Sequence, residues 1–267
     1  MEDQNLKSKT IASLVWKLLE KGGNSFVQLV VQIVMARLLD PQEFGALAVM
    51  LVFVNIGNVI VQSGLNTSLV QSKIIDETDI STVFWLSFGS SVILFAAVFF
   101  AAPAISEFYA MPHIVWQLRV LGLLLLITAF NSVQVAIVQR NLQLRKVFNA
   151  TVIAVAISGA VGITTALIGV GLWALVLQQL TYQSVNCIVL GLQVKWHPQF
   201  LFSRTKARKH FSYGWKLLIS GLLDTGYQSL SDLLIGKQFS SSSLGLVSQG
   251  KKYPQAIGSL LAGAIQP

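Results

Sequence analysis

Apolar runs dominate this chain, and the polar positions inside them recur at helical rather than strand spacing. Ile80 to Ser106 carries no charged residue, and neither does Val120 to Gln139. The longest uncharged run, Val147 to Val194, is interrupted only by Gly169-Val170-Gly171. About 20 apolar residues cross a bilayer core, so this run predicts two spans joined by a tight turn. The runs and their breakers together predict helices over 11–38, 41–63, 79–102, 113–139, 147–168, 171–194, 209–237 and 241–263. Pro41 and Pro103 fall at the ends of these helices, where a missing backbone donor is tolerated.

The start of the chain returns near its end. Trp16-Lys17-Leu18-Leu19 reappears as Trp215-Lys216-Leu217-Leu218, and Phe44-Gly45 reappears as Leu244-Gly245. Between these anchors Asn24, Gln28 and Gln32 fall on Asp224, Gln228 and Asp232. The fold expected is therefore an all-α, polytopic membrane protein built from two pseudo-symmetric lobes. Residues 1–194 form a six-helix first lobe, 195–208 a basic cytoplasmic linker, and 209–267 the incomplete start of a second lobe.

Composition agrees with a membrane class. Hydrophobic residues make up 54% of the chain and charged residues 11%, against roughly 25% charged in an ordinary soluble domain. Met1 to Thr10 is polar and the apolar stretch after it outruns a signal core, so no cleavable leader is read. Cys187 stands alone, which excludes a disulfide framework and a cysteine-ligated metal. The net charge of +8 is distributed by side rather than by patch. Lys7, Lys9, Lys17, Lys21, Lys73, Arg140, Arg145 and Lys146 fall on one side, with Lys195, Arg204, Lys206, Arg208 and Lys209 of the linker. Arg37, Arg119 and Lys237 fall on the other. Excess Lys and Arg mark the cytoplasmic side, which puts the N-terminus and the linker inside the cell and leaves no case for nucleic acid. Trp196, Phe200, Leu201 and Phe202, mixed with the basic residues of the linker, suit a segment lying along the membrane interface.

Polar groups inside a membrane cost free energy and call for a partner or a hydrated cavity. Lys17, Lys21, Asn24, Gln28 and Gln32 share one face of the first helix, and Lys216, Ser220, Asp224, Gln228 and Asp232 share one face of the seventh. In a two-lobed carrier these stripes would face each other across a substrate path. Gln179, Gln183 and Asn186 with Tyr182 form a further polar face, as do Asn55, Asn58 and Gln62, and the pair Asn131 and Gln134. Interhelical hydrogen bonding accounts for most of these. There is no phosphate-binding glycine loop, and no nucleophile elbow for a Ser/His/Asp set. His113, His197 and His210 lie far apart at expected loops or helix ends, the pattern of solvated surface histidines rather than of a metal site. No cofactor, metal or catalytic residue is expected.

Six segments then carry a resemblance. Ala36-Arg37-Leu38-Leu39-Asp40-Pro41-Gln42-Glu43-Phe44-Gly45 resembles the first-hairpin signature of bacterial polysaccharide flippases. Gly64-Leu65 with Leu69-Val70-Gln71, Ser81-Thr82-Val83-Phe84-Trp85 and Gln139-Arg140-Asn141-Leu142 follow in the same order. Gly171-Leu172-Trp173-Ala174-Leu175-Val176 and Asp232-Leu233-Leu234-Ile235-Gly236 complete the set. The chain is similar to the lipopolysaccharide, O-antigen and exopolysaccharide exporters of the multidrug/oligosaccharidyl-lipid/polysaccharide exporter superfamily. The resemblance implies twelve to fourteen helices in two six-helix lobes, in the bacterial inner membrane, moving polyprenyl-diphosphate-linked glycans to the outer leaflet without ATP. It implies the lipid bilayer and other polysaccharide-assembly membrane proteins as partners. It also gives Lys17, Lys21, Lys216, Lys251 and Lys252 a task as cations for an anionic headgroup, with Asp224 as a coupling residue. A drug or metabolite antiporter of the same superfamily is the alternative transporter. Family members continue for several more helices, so the chain is also expected to be a fragment or a truncated remnant.

Overall fold

A computed structural model describes residues 27–62, 64–72, 75–141 and 143–265, and all the regular structure among them is helical. The first helix, α1 (Val27–Leu38), leads through Leu39 and Asp40 into α2 (Pro41–Gln62). Short α3 (Leu65–Gln71) precedes α4 (Glu77–Phe108), and a 3₁₀ turn at Pro112–Ile114 opens α5 (Val115–Leu121). Next come α6 (Leu123–Arg140), α7 (Leu144–Ile168), α8 (Leu172–Val194), α9 (Arg204–Gln238) and α10 (Ser241–Ile265). Four helical stretches are long and apolar enough to cross a bilayer: 41–71, 77–108, 112–140 and 145–168. Helices α8 to α10 have the length but carry more polar side chains. This is a multi-pass membrane protein.

Three expected boundaries move, each for a physical reason. The fourth expected helix, 113–139, is broken at Gly122 into α5 and α6. The seventh, expected from 209, begins at Arg204 after Ser203, so Arg204, Lys206 and Arg208 lie on a helix rather than in a loop. Pro103 does not end the third helix but lies well inside α4. A proline at that position frees the carbonyl four residues earlier, which is that of Phe99. The Nε of Arg119 donates to the Phe99 carbonyl at 3.2 Å, while its guanidinium lies 4.4 Å from the Phe99 ring centre and 4.9 Å from that of Trp116. A side chain from a neighbouring helix thus satisfies the broken backbone ladder, as an apolar environment requires.

The turn between α7 and α8 forms as the glycines predict. Gly169 adopts a left-handed φ of 82° and its N–H donates to Ala166 O at 3.0 Å, closing the helix, while Gly171 turns the chain with φ 59°. The main core lies around α2, where Val49, Met50 and Val54 pack with Leu118, Leu121 and Leu125 and with Leu175 of α8. Leu244 of α10 belongs to the same cluster.

Two glycine contacts pin α10 to the start of α2 and α9 to the turn between α2 and α3. A Cβ at Gly45 would fall 1.9 Å from the Ser241 carbonyl, and one at Gly245 would fall 1.9 Å from the Pro41 carbonyl. Gly64 (φ 101°) and Gly214 meet equally closely: a Cβ on Gly64 would lie 2.2 Å from the Gly214 carbonyl. Small residues that let backbones touch are the usual currency of helix association in lipid.

Two measurements test this packing. Gly245→Ala forces α2 and α10 apart and should lower stability by roughly 1–3 kcal/mol, as overpacking does. Gly226→Ala, where no atom lies within 4 Å of the added methyl, should be neutral or slightly stabilising. Thermal unfolding in detergent separates them, and equal melting temperatures would refute the close crossing. Arg119→Ala should cost on the order of 1–3 kcal/mol by orphaning the Phe99 carbonyl. Pro103→Ala restores the donor, so in its background the Arg119 effect should shrink.

Candidate functional site

A polar hollow opens between α1, α2, α7, α8 and α10 and has a volume of about 410 Å³. Gln28 and Gln32 of α1, Gln178, Gln179 and Tyr182 of α8, and Ser158 of α7 supply its polar wall, with Lys252 from α10. Val31, Met35, Phe44, Leu47, Val155 and Leu175 supply the apolar wall. The helices hold these groups by register, since Gln28 and Gln32 are four residues apart, as are Gln178 and Tyr182. The Nε2 of Gln32 donates to Oε1 of Gln249, tying α1 to α10. Among the described lining residues Lys252 carries the one formal charge. A single ammonium surrounded by neutral amides suits one anionic group attached to a polar, uncharged body.

The residues expected to share a substrate path divide. Gln28 and Lys252 meet in this cavity. Lys251, next to Lys252, turns the other way and bonds Ser231 Oγ at 2.6 Å and Asp232 Oδ1 at 2.6 Å. Lys216, Asp224 and Gln228 lie on an exposed face of α9 and do not line the cavity, and Gln228 Nε2 donates to Asp224 Oδ2 at 3.0 Å. Their four-residue spacing put them on one face correctly, but spacing does not say which neighbour that face meets. Lys17, Lys21 and Asn24 lie outside the described residues. Gln179 and Tyr182, read from the sequence as helix-to-helix contacts, line the cavity, and Gln178 beside them was not singled out. Gln183 and Asn186 of the same face do act between helices: Gln183 Nε2 donates to Thr128 Oγ1 at 3.2 Å, and Asn186 Oδ1 accepts from Asn131 Nδ2 at 3.2 Å.

The histidine expectation needs correction. His113 and His197 are exposed, but His210 is fully buried. Its Nδ1 lies 2.6 Å from Ser68 Oγ and its Nε2 lies 3.1 Å from Asp79 Oδ1. Asp79 Oδ2 accepts from Lys206 Nζ at 3.1 Å, and Lys206 also pairs with Asp76. Asp76 and Asp79 form the reciprocal capping box that starts α4. The Ser68–His210–Asp79 order matches that of a hydrolase triad, an arrangement that no local motif announces. Ser68 is only 4% exposed, and the amides around it are spent inside α3, Ser68 N on Gly64 O and Ser72 N on Ser68 O, so an oxyanion would find no pair of free donors. The cluster is a joint between α3, α4 and α9. The linker strengthens it: Trp85 Nε1 donates to Gln199 O at 2.8 Å, Ser203 N donates to Thr82 Oγ1 at 3.1 Å, and Phe200 stacks on Trp85 at 5.2 Å.

A second cavity of about 350 Å³ lies between the end of α2, α3, α6 and α8. Its lining holds neutral polar side chains, Gln62, Asn66, Gln71, Asn131, Gln139 and Gln183 prominent among them, and no Asp, Glu, Lys or Arg among the described residues. Among the described residues no group of three or more His, Cys, Asp and Glu side chains could hold a metal ion.

Comparison with known proteins gives these cavities a context. A family model described as "Polysaccharide biosynthesis protein" matches residues 34–267. The chain is 27% identical over 212 residues to the succinoglycan biosynthesis transport protein ExoT of Rhizobium meliloti, covering 78% of this chain and 43% of that protein. It is 25% identical over 191 residues to the teichuronic acid biosynthesis protein TuaB of Bacillus subtilis, covering 70% of this chain and 39% of the relative. With the lipopolysaccharide biosynthesis protein WzxC of Escherichia coli it shares 23% identity over 239 residues, 87% of this chain and 48% of that protein. The chain thus spans less than half the length of these relatives. No solved structure matches.

The joint makes a graded prediction. The Lys206 ammonium, reinforced by the Asp79 backbone N–H, holds the Asp76 carboxyl well below the usual carboxylate range, and Asp76 in turn raises Lys206. A depressed acid stabilises the joint above its ordinary pKa and loses that contribution as pH falls, so Lys206→Met should matter at neutral pH and converge on the parent on acidification. The pair is open to solvent on the Asp76 side, so screening should keep its effect small. His210→Ala, which leaves Asp79 buried without its ring partner, should cost more, about 1–3 kcal/mol. Melting temperatures across a pH series, with limited trypsinolysis of the linker, read both effects.

Proposed function

The chain belongs to the polysaccharide biosynthesis protein family, and on that footing we propose that it acts in moving a lipid-linked glycan precursor across the bacterial cytoplasmic membrane. The observation that carries this reading is the 410 Å³ cavity in which Lys252 stands among the amides of Gln28, Gln32, Gln178 and Gln179. A polyprenyl diphosphate headgroup brings the two chemistries such a wall can meet. Its phosphates take the ammonium and its sugar hydroxyls exchange hydrogen bonds with amides, while the lipid tail stays in the bilayer. The cavity draws residues from α1, α2, α7 and α8 and from α10, which supports reading it as a site shared between the two repeats.

We assign the N-terminus and the Asp79–His210 joint to the cytoplasmic side, in keeping with the distribution of lysine and arginine. Lys216, Asp224 and Gln228 present a second polar face along α9, available to the same headgroup if that face borders the path, with Lys17, Lys21 and Asn24 as their repeat-related counterparts.

The test compares Lys252→Gln with Lys252→Arg in the native host. Surface glycan should fall by about tenfold or more in the glutamine variant, the loss of one charge-assisted contact. The arginine variant should retain most display, and membrane abundance should be unchanged in both. If surface glycan stays at parent level in Lys252→Gln and after deletion of the gene, while resistance to toxic cations drops, the chain is a drug antiporter instead.

A further inference from the structure

We infer that the second cavity, at the far end of α2 from Lys252, is a saccharide subsite: it takes the uncharged, polyhydroxylated part of the substrate and excludes its phosphate. This rests on the glycan reading above. The wall is unusual for an intramembrane cavity. Gln62 and Asn66 stand at the α2–α3 junction, Asn131 and Gln139 on α6, and Gln183 on α8, with no charged side chain between them among the described residues. Neutral amides in apolar surroundings are costly unless paired. Two of these are not: Asn66 Oδ1 and Asn131 Oδ1 are buried and accept no hydrogen bond, although Asn131 Nδ2 is engaged with Asn186. Unfilled acceptors call for hydroxyl donors. An anion would be repelled by carbonyl oxygens and would meet no charged side chain among the described lining residues, and an apolar molecule would leave both oxygens desolvated. A sugar ring supplies several O–H donors at once, and its hydroxyl oxygens can accept from the amide N–H groups of the same residues.

Size and placement agree. A volume of about 350 Å³ lies in the usual range of small-molecule sites, roughly 300–1,000 Å³. Leu47 borders the first cavity and Gln62 the second, a separation of roughly 22 Å along α2 at 1.5 Å per residue. Helix α8 serves both, with Tyr182 in one wall and Gln183 in the next. The two cavities therefore divide a headgroup by chemistry, with anion selection by Lys252 and sugar selection by the amides. The Tyr213 hydroxyl of α9 donates to Gln71 Oε1 in the wall of this pocket, so the first helix of the second repeat touches the sugar site directly.

The experiment uses the full chain from its native membrane, reconstituted in lipid nanodiscs. The probes are polyprenyl diphosphate alone, the oligosaccharide-bearing polyprenyl diphosphate extracted from the same cells, and the oligosaccharide released from it. The parent protein should prefer the glycan-bearing lipid over the bare diphosphate by about tenfold or more. Combined Asn66→Leu and Asn131→Leu should bring that preference to within about twofold, leaving affinity for bare diphosphate unchanged. Lys252→Gln should weaken both lipids and keep their ratio. The released oligosaccharide should compete with the glycan-bearing lipid if sugars alone are recognised; competition by the bare diphosphate only would overturn the subsite. An unchanged preference in the asparagine variant, or none in the parent, would also overturn it while leaving the flippase reading intact. Failure of the parent to bind either lipid would instead remove the flippase reading. Should the double variant not fold, Gln139→Leu makes the same comparison.

Discussion

The architecture turns on a backbone-to-backbone crossing between α2 and α10. In lipid, helices gain little from burying apolar side chains against each other, because the tails offer the same environment. What holds them is close approach. At this crossing the Pro41 carbonyl abuts Gly245 and the Ser241 carbonyl abuts Gly45, a reciprocal contact between positions that the internal repeat already relates. The repeat is therefore expressed as a local two-fold arrangement, in which each copy offers a glycine to the other's helix start. Leu244 enters the main core through this contact, and α10 carries Lys252 to the wall built by α1 and α8.

A second fastening acts at the opposite end, and its chemistry is different. Gly64 and Gly214 again allow close approach, but the Asp79–His210–Ser68 contacts and the Lys206 pairs add direction. Buried polar joints contribute modest net stability and a strong geometric preference, because leaving any member unpaired is expensive. One end of α9 is thus held by the buried Asp79–His210 cluster, and the end near α10 by the Lys251–Asp232 pair and by Lys237, whose Nζ donates to Phe108 O at 2.6 Å.

Much of this fold was legible in the sequence for a simple physical reason: uncharged runs of bilayer length admit few other structures. The α7–α8 turn was legible because Gly169 and Gly171 take backbone angles that other residues avoid. What was hidden depends on partners distant in sequence. Pro103 read as a helix end because nothing local shows that Arg119 will accept the duty of covering the Phe99 carbonyl. His210 read as solvated because Asp79 and Ser68 lie more than a hundred residues away. The polar stripe of α9 was found by period, yet period fixes only which residues share a face, and Lys216, Asp224 and Gln228 face away from the cavity that Gln28 and Lys252 share.

The distribution of charge between the two cavities has a cause beyond recognition. A charged group inside a membrane must be neutralised or hydrated, and several like charges together would repel one another at low dielectric. Holding Lys252 apart from Lys251, whose charge Asp232 answers, leaves one cation in the wall of the first cavity instead of two. A solitary ammonium attracts an anion without binding it too tightly to release, since no second cation converts the contact into a clamp. Amides then provide the rest of the affinity in small, separable contributions, and neutral hydrogen bonds can be exchanged one at a time as a headgroup advances. For the transport proposed above, a wall built in this way favours movement over retention, the requirement that distinguishes a transport path from a receptor site.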